Sequence, residues 1–286
     1  MHVYGKILLA VGMFTLPLQE PAIVWDLKDG IATPESVYYD AESGYLFSSQ
    51  IGGQEAGDGR IVRISVDGKK VDADWVTGLG DPLGIRSHKG TLWVADSGQL
   101  VAIDIAKAEI VKKVSIPGAQ SLNDVVCDPE GAVYVSDTLG SRIHRLKGDE
   151  VSTVAEGDDV EGPNGLLIDG DRLIVAAWGL AESDFSTKVP GRLFALDLKT
   201  KKKELITPDP FANMDGLEFD GQGGYLVTDW NAGKVLRVGP DGKSEVLLQL
   251  AKGIADHAYI GAKKLLVVPH MEESRVVAYD LSSRLK

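Results

Sequence analysis

The chain is built from short apolar runs separated by turns rich in glycine, aspartate and proline. Runs such as TLWVAD (91–96), AVYVSD (132–137) and GYLVTD (224–229) are rich in β-branched and aromatic residues. Runs of a second type, GRIVRIS (59–65) and GRLFALD (191–197), open with glycine and a basic residue. Short apolar runs and period-two alternation, bounded by turn residues, are typical of β-strands. No stretch has a convincing helical period, so the pattern predicts an all-β fold.

These runs recur as a repeat. The segment GPNGLLID (162–169) has a counterpart in NMDGLEFD (213–220), and related segments define one anchor residue per repeat, at the start of its first strand. The six anchors are Glu35, Leu83, Asn123, Asn164, Asp215 and Asp256, at spacings of 40 to 51 residues. Four strands in a unit of this length are the signature of a propeller blade. The sequence therefore predicts a six-bladed β-propeller with four antiparallel strands per blade.

The two ends of the chain complete the picture. The sixth repeat stops after its third strand, and the unassigned run AIVWDL (22–27) precedes the first anchor. We expect this N-terminal strand to complete the last blade, because a closed ring leaves no bare sheet edge. Residues 21–286 then form a single propeller domain.

Residues 1–20 carry Lys6 followed by an apolar stretch from Ile7 to Leu18, as in a secretory signal peptide. We predict a signal peptide or a disordered N-terminus and a periplasmic or secreted protein. An apolar first strand in a cytoplasmic protein is the alternative. No other segment is long and apolar enough to span a membrane.

Composition narrows the range of partners. The chain has 286 residues and a net charge of −12, which argues against binding to nucleic acid or an anionic membrane. The single cysteine, Cys127, excludes an internal disulfide. It follows two valines, and we predict a packed core thiol.

The anchors are the main candidates for chemistry. The first strand of each propeller blade lines the central channel, so the anchors should meet near one end, which we call the top. Two long loops, 50–59 and 179–190, should reach the same end. Converging carboxylates and amides need a positive partner, and the oxygens of Glu35, Asn164 and Asp215 suit Ca²⁺, Mg²⁺ or Mn²⁺. The alternative is that the anchors only cap strands and bond to nearby backbone.

Other side chains at the top are further candidates for substrate contact. Asp256 and His257 stand at the channel end of the sixth repeat, and a histidine there could act as a general base. The alternative is a structural histidine bonded to backbone. Trp178 and Trp230 follow second strands and either wall a pocket or pack between blades.

The segments TPESVYYD, LNDVVCDPEG, GPNGLLID and NMDGLEFD together resemble the senescence-marker-protein, gluconolactonase and luciferin-regenerating-enzyme family. This resemblance implies a six-bladed propeller with one divalent cation, for which we expect Ca²⁺ first, with Mg²⁺, Mn²⁺ and Zn²⁺ as options. It implies Glu35, Asn164 and Asp215 as metal ligands and Asn123 as a contact to substrate or metal-bound water. The implied reaction is hydrolysis of a small lactone or ester, with Asp215 and Asn123 as catalytic residues and Asp215 assisting proton transfer.

The sequence departs from that family in two places. Ser121 stands where the sugar-lactone members carry an arginine, and TLGSRIHRLKG (138–148) contains no counterpart of their acidic sugar-binding residue. A polyhydroxylated sugar needs several polar partners, so a smaller or more apolar lactone or ester fits better. A non-catalytic metal-containing propeller that binds a small ligand or protein is the alternative. A condensing or lyase-type enzyme is a third reading, and the oligomeric state stays open.

Overall fold

A computed structural model describes residues 22–53, 55 and 57–285. These residues form six four-stranded antiparallel sheets and three single-turn 3₁₀ helices, so the all-β prediction is confirmed. Blade 1 consists of β2 (Pro34–Asp40), β3 (Tyr45–Gln50), β4 (Gly59–Ser65) and β5 (Val71–Leu79). Blade 2 consists of β6 (Pro82–His88), β7 (Thr91–Asp96), β8 (Gln99–Asp104) and β9 (Glu109–Ser115). Blade 3 consists of β10 (Leu122–Cys127), β11 (Val133–Asp137), β12 (Arg142–Lys147) and β13 (Glu150–Glu156).

The remaining three blades close the ring. Blade 4 consists of β14 (Pro163–Asp169), β15 (Arg172–Ala177), β16 (Leu193–Asp197) and β17 (Lys203–Leu205). Blade 5 consists of β18 (Met214–Phe219), β19 (Tyr225–Asp229), β20 (Lys234–Val238) and β21 (Ser244–Gln249). Blade 6 consists of β22 (Ala258–Ile260), β23 (Leu265–His270), β24 (Arg275–Asp280) and the N-terminal strand β1 (Ala22–Leu27). The N-terminal strand β1 pairs antiparallel with β24, which confirms the predicted closure. Each first strand contacts the first strands of both neighbouring blades, so these six strands surround the channel.

The hydrophobic core lies between neighbouring blades. In blade 1, Phe47 and Trp75 pack with their ring centroids 4.6 Å apart, and the cluster continues to Ile85 and Val94 in blade 2. A similar cluster joins blade 1 to blade 6 through Val37 and Ala258. Burial of apolar side chains between the blades therefore continues across the point where the chain ends meet.

A bulge near the start of the first strand decides which residues face the channel. In blade 5, Met214 pairs with Asp229 and Leu217 pairs with Val227, so three steps along β18 match two along β19. The same register shift occurs in blades 1 to 4. A bulge adds one residue to one strand and reverses the alternation beyond it. The second residue after the anchor consequently enters the core: Val37, Ile85, Val125, Leu166 and Leu217.

The register corrects the alignment of the sixth repeat. Ile254 bridges His270 as Met214 pairs with Asp229. Met271 also donates its N–H to the carbonyl of Gly253, as Trp230 does to Asn213. Both observations show that Ala255, and not Asp256, occupies the anchor position of blade 6. Asp256 therefore lies one residue further along the channel.

The predicted signal peptide at residues 1–20 lies outside the described residues. Within the described part of the chain, no helix has the length and hydropathy needed to cross a bilayer.

Candidate functional site

A cavity of about 810 Å³ opens at the top of the channel, where the first strands begin. Its lining contains seven of the nine candidate site residues named from the sequence: Glu35, Ser121, Asn123, Asn164, Trp178, Asp215 and Trp230. The loop after β15 supplies residues 184–187 to the wall, and Ile51 represents the loop after β3. The structure thus brings the polar anchors and the two long loops together, as expected from the repeat.

Four anchors present buried oxygens that have no hydrogen-bond partner among the described residues. These oxygens are Glu35 Oε2, Asn123 Oδ1, Asn164 Oδ1 and Asp215 Oδ1. A buried polar atom without a partner is unfavourable. Four such atoms on four first strands, all facing one cavity, are the arrangement expected of a ligand set.

Burial and neighbouring negative charges disfavour the ionised forms of the two carboxyl groups in this set. Burial raises the pKa of Glu35 well above its usual range, and the charges of Asp215, Asp256 and Asp124 raise it further. Burial likewise raises the pKa of Asp215, with additional contributions from Asp256 and Asp124. A cation between these groups would reverse both effects, because it favours the ionised carboxylates.

A second polar layer lies one residue below the anchors. Asp124 accepts hydrogen bonds from the backbone N–H of Leu166 at 2.7 Å and of Val125 at 2.6 Å. In the same layer, the hydroxyl of Ser36 donates to Asp256 Oδ2 at 2.6 Å. Burial raises the pKa of Asp124 to about 8, and the nearby charge of Asp256 adds to this rise. This layer therefore supports the anchors from below and carries further negative charge.

An ion pair lies two residues deeper. Arg86 Nη1 is 3.1 Å from Glu218 Oε1, and its guanidinium carbon lies 5.1 Å from the centroid of the Tyr38 ring. Burial opposes the charge on Arg86, but Glu218, Asp124 and Asp256 more than compensate and keep its pKa raised. Arg86 is thus a built-in counter-cation for the carboxylates of the channel.

Two predicted substrate-contacting residues, Asp256 and His257, do not line the cavity. Asp256 lies in the layer bonded to Ser36. His257 occupies the position at which the other five blades place a core aliphatic residue, and its side chain is fully buried. Burial lowers the pKa of His257 to about 3, so the ring is neutral at physiological pH. In the other five blades the bulge turns this position away from the channel.

The upper wall of the cavity is aromatic. The ring centroids of Trp178 and Trp230 are 6.0 Å apart, and those of Trp178 and Phe185 are 6.2 Å apart in an edge-to-face arrangement. Trp178 Nε1 donates a hydrogen bond to the carbonyl of Phe185 at 3.0 Å. Lys252 Nζ lies 4.8 Å from the centroid of the Trp230 ring. Both tryptophans therefore wall the pocket, and Trp178 also anchors the long loop.

Ser121 also lines the cavity, in blade 3, which adjoins blade 4. Its backbone N–H donates to Asp137 Oδ1 at 2.7 Å, and Gln120 N–H donates to the same carboxylate. Burial opposes the ionisation of Asp137, but hydrogen bonds from His144 and these backbone groups lower its pKa. Asp137 is thus a structural residue that fixes the approach to β10.

Five residues of the site were not predicted from the sequence: Arg86, Asp124, Phe185, Asn213 and Glu218. Arg86 and Glu218 each follow their anchors by three residues, and a charged residue inside an otherwise buried strand was the signal available in GIRSH and GLEFD. Asp124 directly follows Asn123. Phe185 and Asn213 belong to loop contacts, for which the sequence offered no local pattern.

Comparison with known proteins identifies the family. A family model described as the SMP-30/gluconolactonase/LRE-like region matches residues 33–268. The chain belongs to this family. The matched region of this SMP-30/gluconolactonase/LRE-like protein contains every first strand and all polar anchors. Comparison with curated protein sequences finds no match.

Solved structures share the fold at low sequence identity. A calcium-binding regucalcin from Agrobacterium tumefaciens is 17% identical with a TM-score of 0.65, covering 91% of this chain and 94% of the other. A catalytically inactive virginiamycin B lyase from Staphylococcus aureus, solved with quinupristin, is 13% identical with a TM-score of 0.60 over 90% and 98%. A chain of a nidogen/laminin complex is 18% identical with a TM-score of 0.59 over 74% and 79%. These likenesses establish the propeller fold.

The donor set fits a hard divalent cation only if amide oxygens take part. Across the described residues, no cluster of three or more His, Cys, Asp and Glu side chains could hold a metal. Two carboxylates and two carboxamides with orphaned oxygens are a suitable set for Ca²⁺ or Mg²⁺. The residues present therefore fit the group that the family implies.

Proposed function

We propose that the protein is a divalent-cation-dependent hydrolase of a small lactone or ester. The observation that carries this proposal is the set of four orphaned oxygens from Glu35, Asn123, Asn164 and Asp215 at the base of the cavity. Glu35, Asn164 and Asp215 would hold the cation, with Ca²⁺ favoured and Mg²⁺, Mn²⁺ or Zn²⁺ as options. When bound, the cation would polarise the substrate carbonyl and stabilise negative charge on its oxygen.

The chain's own residues would divide the remaining work. Asn123, beside the three ligands, orients the substrate or the attacking water. The Asp215 carboxylate accepts the proton that this water loses as it attacks the carbonyl carbon, and returns it to the departing alkoxide oxygen. Trp178 and the loop that it anchors cover the cavity and limit access of bulk water.

The first test is metal content and calcium binding of the purified protein, measured by elemental analysis and calorimetry. Glu35→Gln and Asp215→Asn should each weaken calcium binding by at least about 100-fold, because each removes a charged ligand from a buried set. Glu130→Gln, in an exposed turn outside the cavity, is the matched control and should bind as the wild type does. Equal calcium affinity in all three variants would overturn the assignment of the ligands.

The second test is hydrolysis of a panel of small lactones and aryl esters before and after chelation. Chelator-sensitive turnover, restored by one of the named cations, is the expected result. A bound cation without turnover on any substrate would instead favour a binding propeller. That reading is supported by Ser121 in place of the family's arginine and by the occurrence of this fold in a nidogen/laminin complex.

A further inference from the structure

Equivalent rim residues give the cavity one apolar side and one polar side. The residue that follows the second strand donates its backbone N–H to the residue two before the anchor in blades 1, 3, 4, 5 and 6. These rim residues are, in blade order, Ile51, Thr138, Trp178, Trp230 and Met271. All of them except Thr138 line the cavity. The apolar rim therefore runs without a break through blades 4, 5, 6 and 1, and the polar member stands in blade 3 beside Asn123.

The aromatic part of this rim is fixed in place by its own polar groups. Asn213 Nδ2 donates to the carbonyl of Trp178 at 2.7 Å and to Thr187 Oγ1 at 2.9 Å, which ties the loop after β15 to blade 5. Asn213 Oδ1 accepts from Asn231 Nδ2 at 2.9 Å. Asn213, Thr187 and Asn231 are thus bonded to the protein. The apolar surface that this side offers to a ligand is that of Trp178, Phe185 and Trp230.

We propose that Trp178, Phe185 and Trp230 form a subsite for an aromatic substituent of the substrate, so that the substrate class is an aryl-substituted lactone or ester. This inference rests on the proposed function and names its substrate. A ring placed between rigid aromatic side chains gains both apolar burial and favourable ring contacts. A polyhydroxylated ring in the same place would bury hydroxyl groups against aromatic faces, which cannot replace their hydrogen bonds to water.

The proposed orientation follows from the position of the anchors. The carbonyl of the substrate lies at the cavity base, against Asn123, Asn164 and Asp215, and the substituent extends towards blades 4 and 5. Ser121 lies in blade 3, next to blade 4, and therefore borders the aromatic wall on its polar side. Because Ser121 stands where the family's sugar-lactone members carry an arginine, the polar part of the site is smaller. The aromatic side chains therefore determine which substrates are selected.

Binding can be tested separately from catalysis with lactams, whose amide bond resists hydrolysis. We would titrate the calcium-loaded protein with 5-phenyl-γ-lactam, unsubstituted γ-lactam and gluconolactam by calorimetry. The phenyl compound should bind at least about 10-fold more tightly than either of the others. Phe185→Ala should reduce that affinity about 5–10-fold and leave binding of the unsubstituted lactam unchanged.

The chain offers a matched control for this variant. Phe219 is 40% exposed and Phe185 is 37% exposed, but Phe219 ends β18 at the far end of the channel and packs on Tyr225. Phe219→Ala should therefore bind all three lactams as the wild type does. An equal loss of affinity in both variants would show a general effect on the fold and would overturn the subsite.

Hydrolysis of the matching lactones separates the subsite from the proposed function. Tight binding of the phenyl lactam without turnover of any lactone or ester would refute the hydrolase and leave the aromatic subsite standing. Turnover with higher kcat/KM on gluconolactone than on the phenyl lactone would refute the subsite and leave the hydrolase standing. Weak, equal binding of all three lactams would likewise overturn the subsite.

Discussion

Replacing Arg86 by methionine would remove the cation that faces the buried carboxylates of the channel. The ion pair with Glu218 is almost completely enclosed, since the two side chains are 7% and 19% exposed. Methionine keeps part of the apolar stem but leaves Glu218 without its partner. Breaking a buried pair from one side typically costs about 3–5 kcal/mol, and for a chain of this size the expected fall in Tm is about 6–15 °C.

The size of this destabilisation can also be derived from the pKa of Glu218. Burial raises the pKa of this carboxyl group to about 7 from an ordinary value of 4.5, even though Arg86 lowers it; Asp256 adds to the rise. Keeping it ionised well above pH 7 therefore costs about 3 kcal/mol in the wild type, and removing Arg86 raises its pKa further. A carboxyl group with a raised folded-state pKa contributes stability below its unfolded pKa, and this contribution is lost as the pH rises through the folded pKa. The destabilisation by Arg86→Met should consequently be larger near pH 9 than near pH 5.

Urea unfolding followed by tryptophan fluorescence measures this effect in a double-mutant cycle. Arg86→Met combined with Glu218→Gln should recover at least about 1 kcal/mol relative to Arg86→Met alone, because the unpaired charge is removed. Arg63→Met is the matched control: Arg63 pairs with Asp72 at the surface and should cost less than about 1 kcal/mol. Additive effects in the cycle, or a loss that does not grow with pH, would refute the role of Arg86 as a counter-cation.

Three further outcomes are expected. In thermal unfolding near pH 8 with a chelator present, Glu35→Gln should have a higher Tm than the wild type. The reason is that burial and the charge of Asp215 disfavour the ionised form of Glu35 in the cation-free site. When calcium is added, only the wild type should gain stability. Cys127 is partly buried against the core, and burial raises its pKa to about 12. It should therefore react with Ellman's reagent much more slowly in the native protein than after unfolding, and equally fast labelling of both states would contradict the prediction of a packed thiol. Trp25→Phe should cost about 1 kcal/mol in urea unfolding by losing the hydrogen bond from Nε1 to the carbonyl of Val66, and Trp25→Ala should cost about 3 kcal/mol; equal losses would show that only the hydrogen bond matters.

The architecture was predictable because propeller strands pair with their immediate neighbours in sequence. Each blade is local, its turns carry glycine and aspartate, and the repeat spacing reports the number of blades. Among the strands that the structure describes, only β1 and β24 pair without being neighbours in sequence. This pairing was also predictable, because the sixth repeat lacked a strand and AIVWDL was left over. Recognition of the polar anchors followed from the same repeat and needed no knowledge of side-chain packing.

The deeper layers of the channel were not predictable by the same reasoning. A period-two count from Asp215 would place Leu217 in the channel and Glu218 in the core, but the bulge reverses both. The sixth repeat fails for a related reason: Asp256 resembles an anchor in type, but Ala255 takes the anchor position in register. A carboxylate near the expected anchor position correctly predicted that the residue faces the channel, but it did not predict the depth at which the side chain lies.

The width of the channel links the repeat motif to the chemistry. A Cβ added to Gly165 would lie 2.4 Å from the carbonyl oxygen of Asp215, and one added to Gly216 would lie 2.8 Å from Cα of Asp256. Neither approach is possible for a residue with a side chain, so glycine directly after the anchor lets adjacent first strands approach closely. The small residue in PNGL and MDGL thus has a mechanical role: it narrows the ring until oxygens from four different blades face one small volume. The proposed cation site therefore depends on the residues that bring the strands together as much as on the proposed ligands themselves.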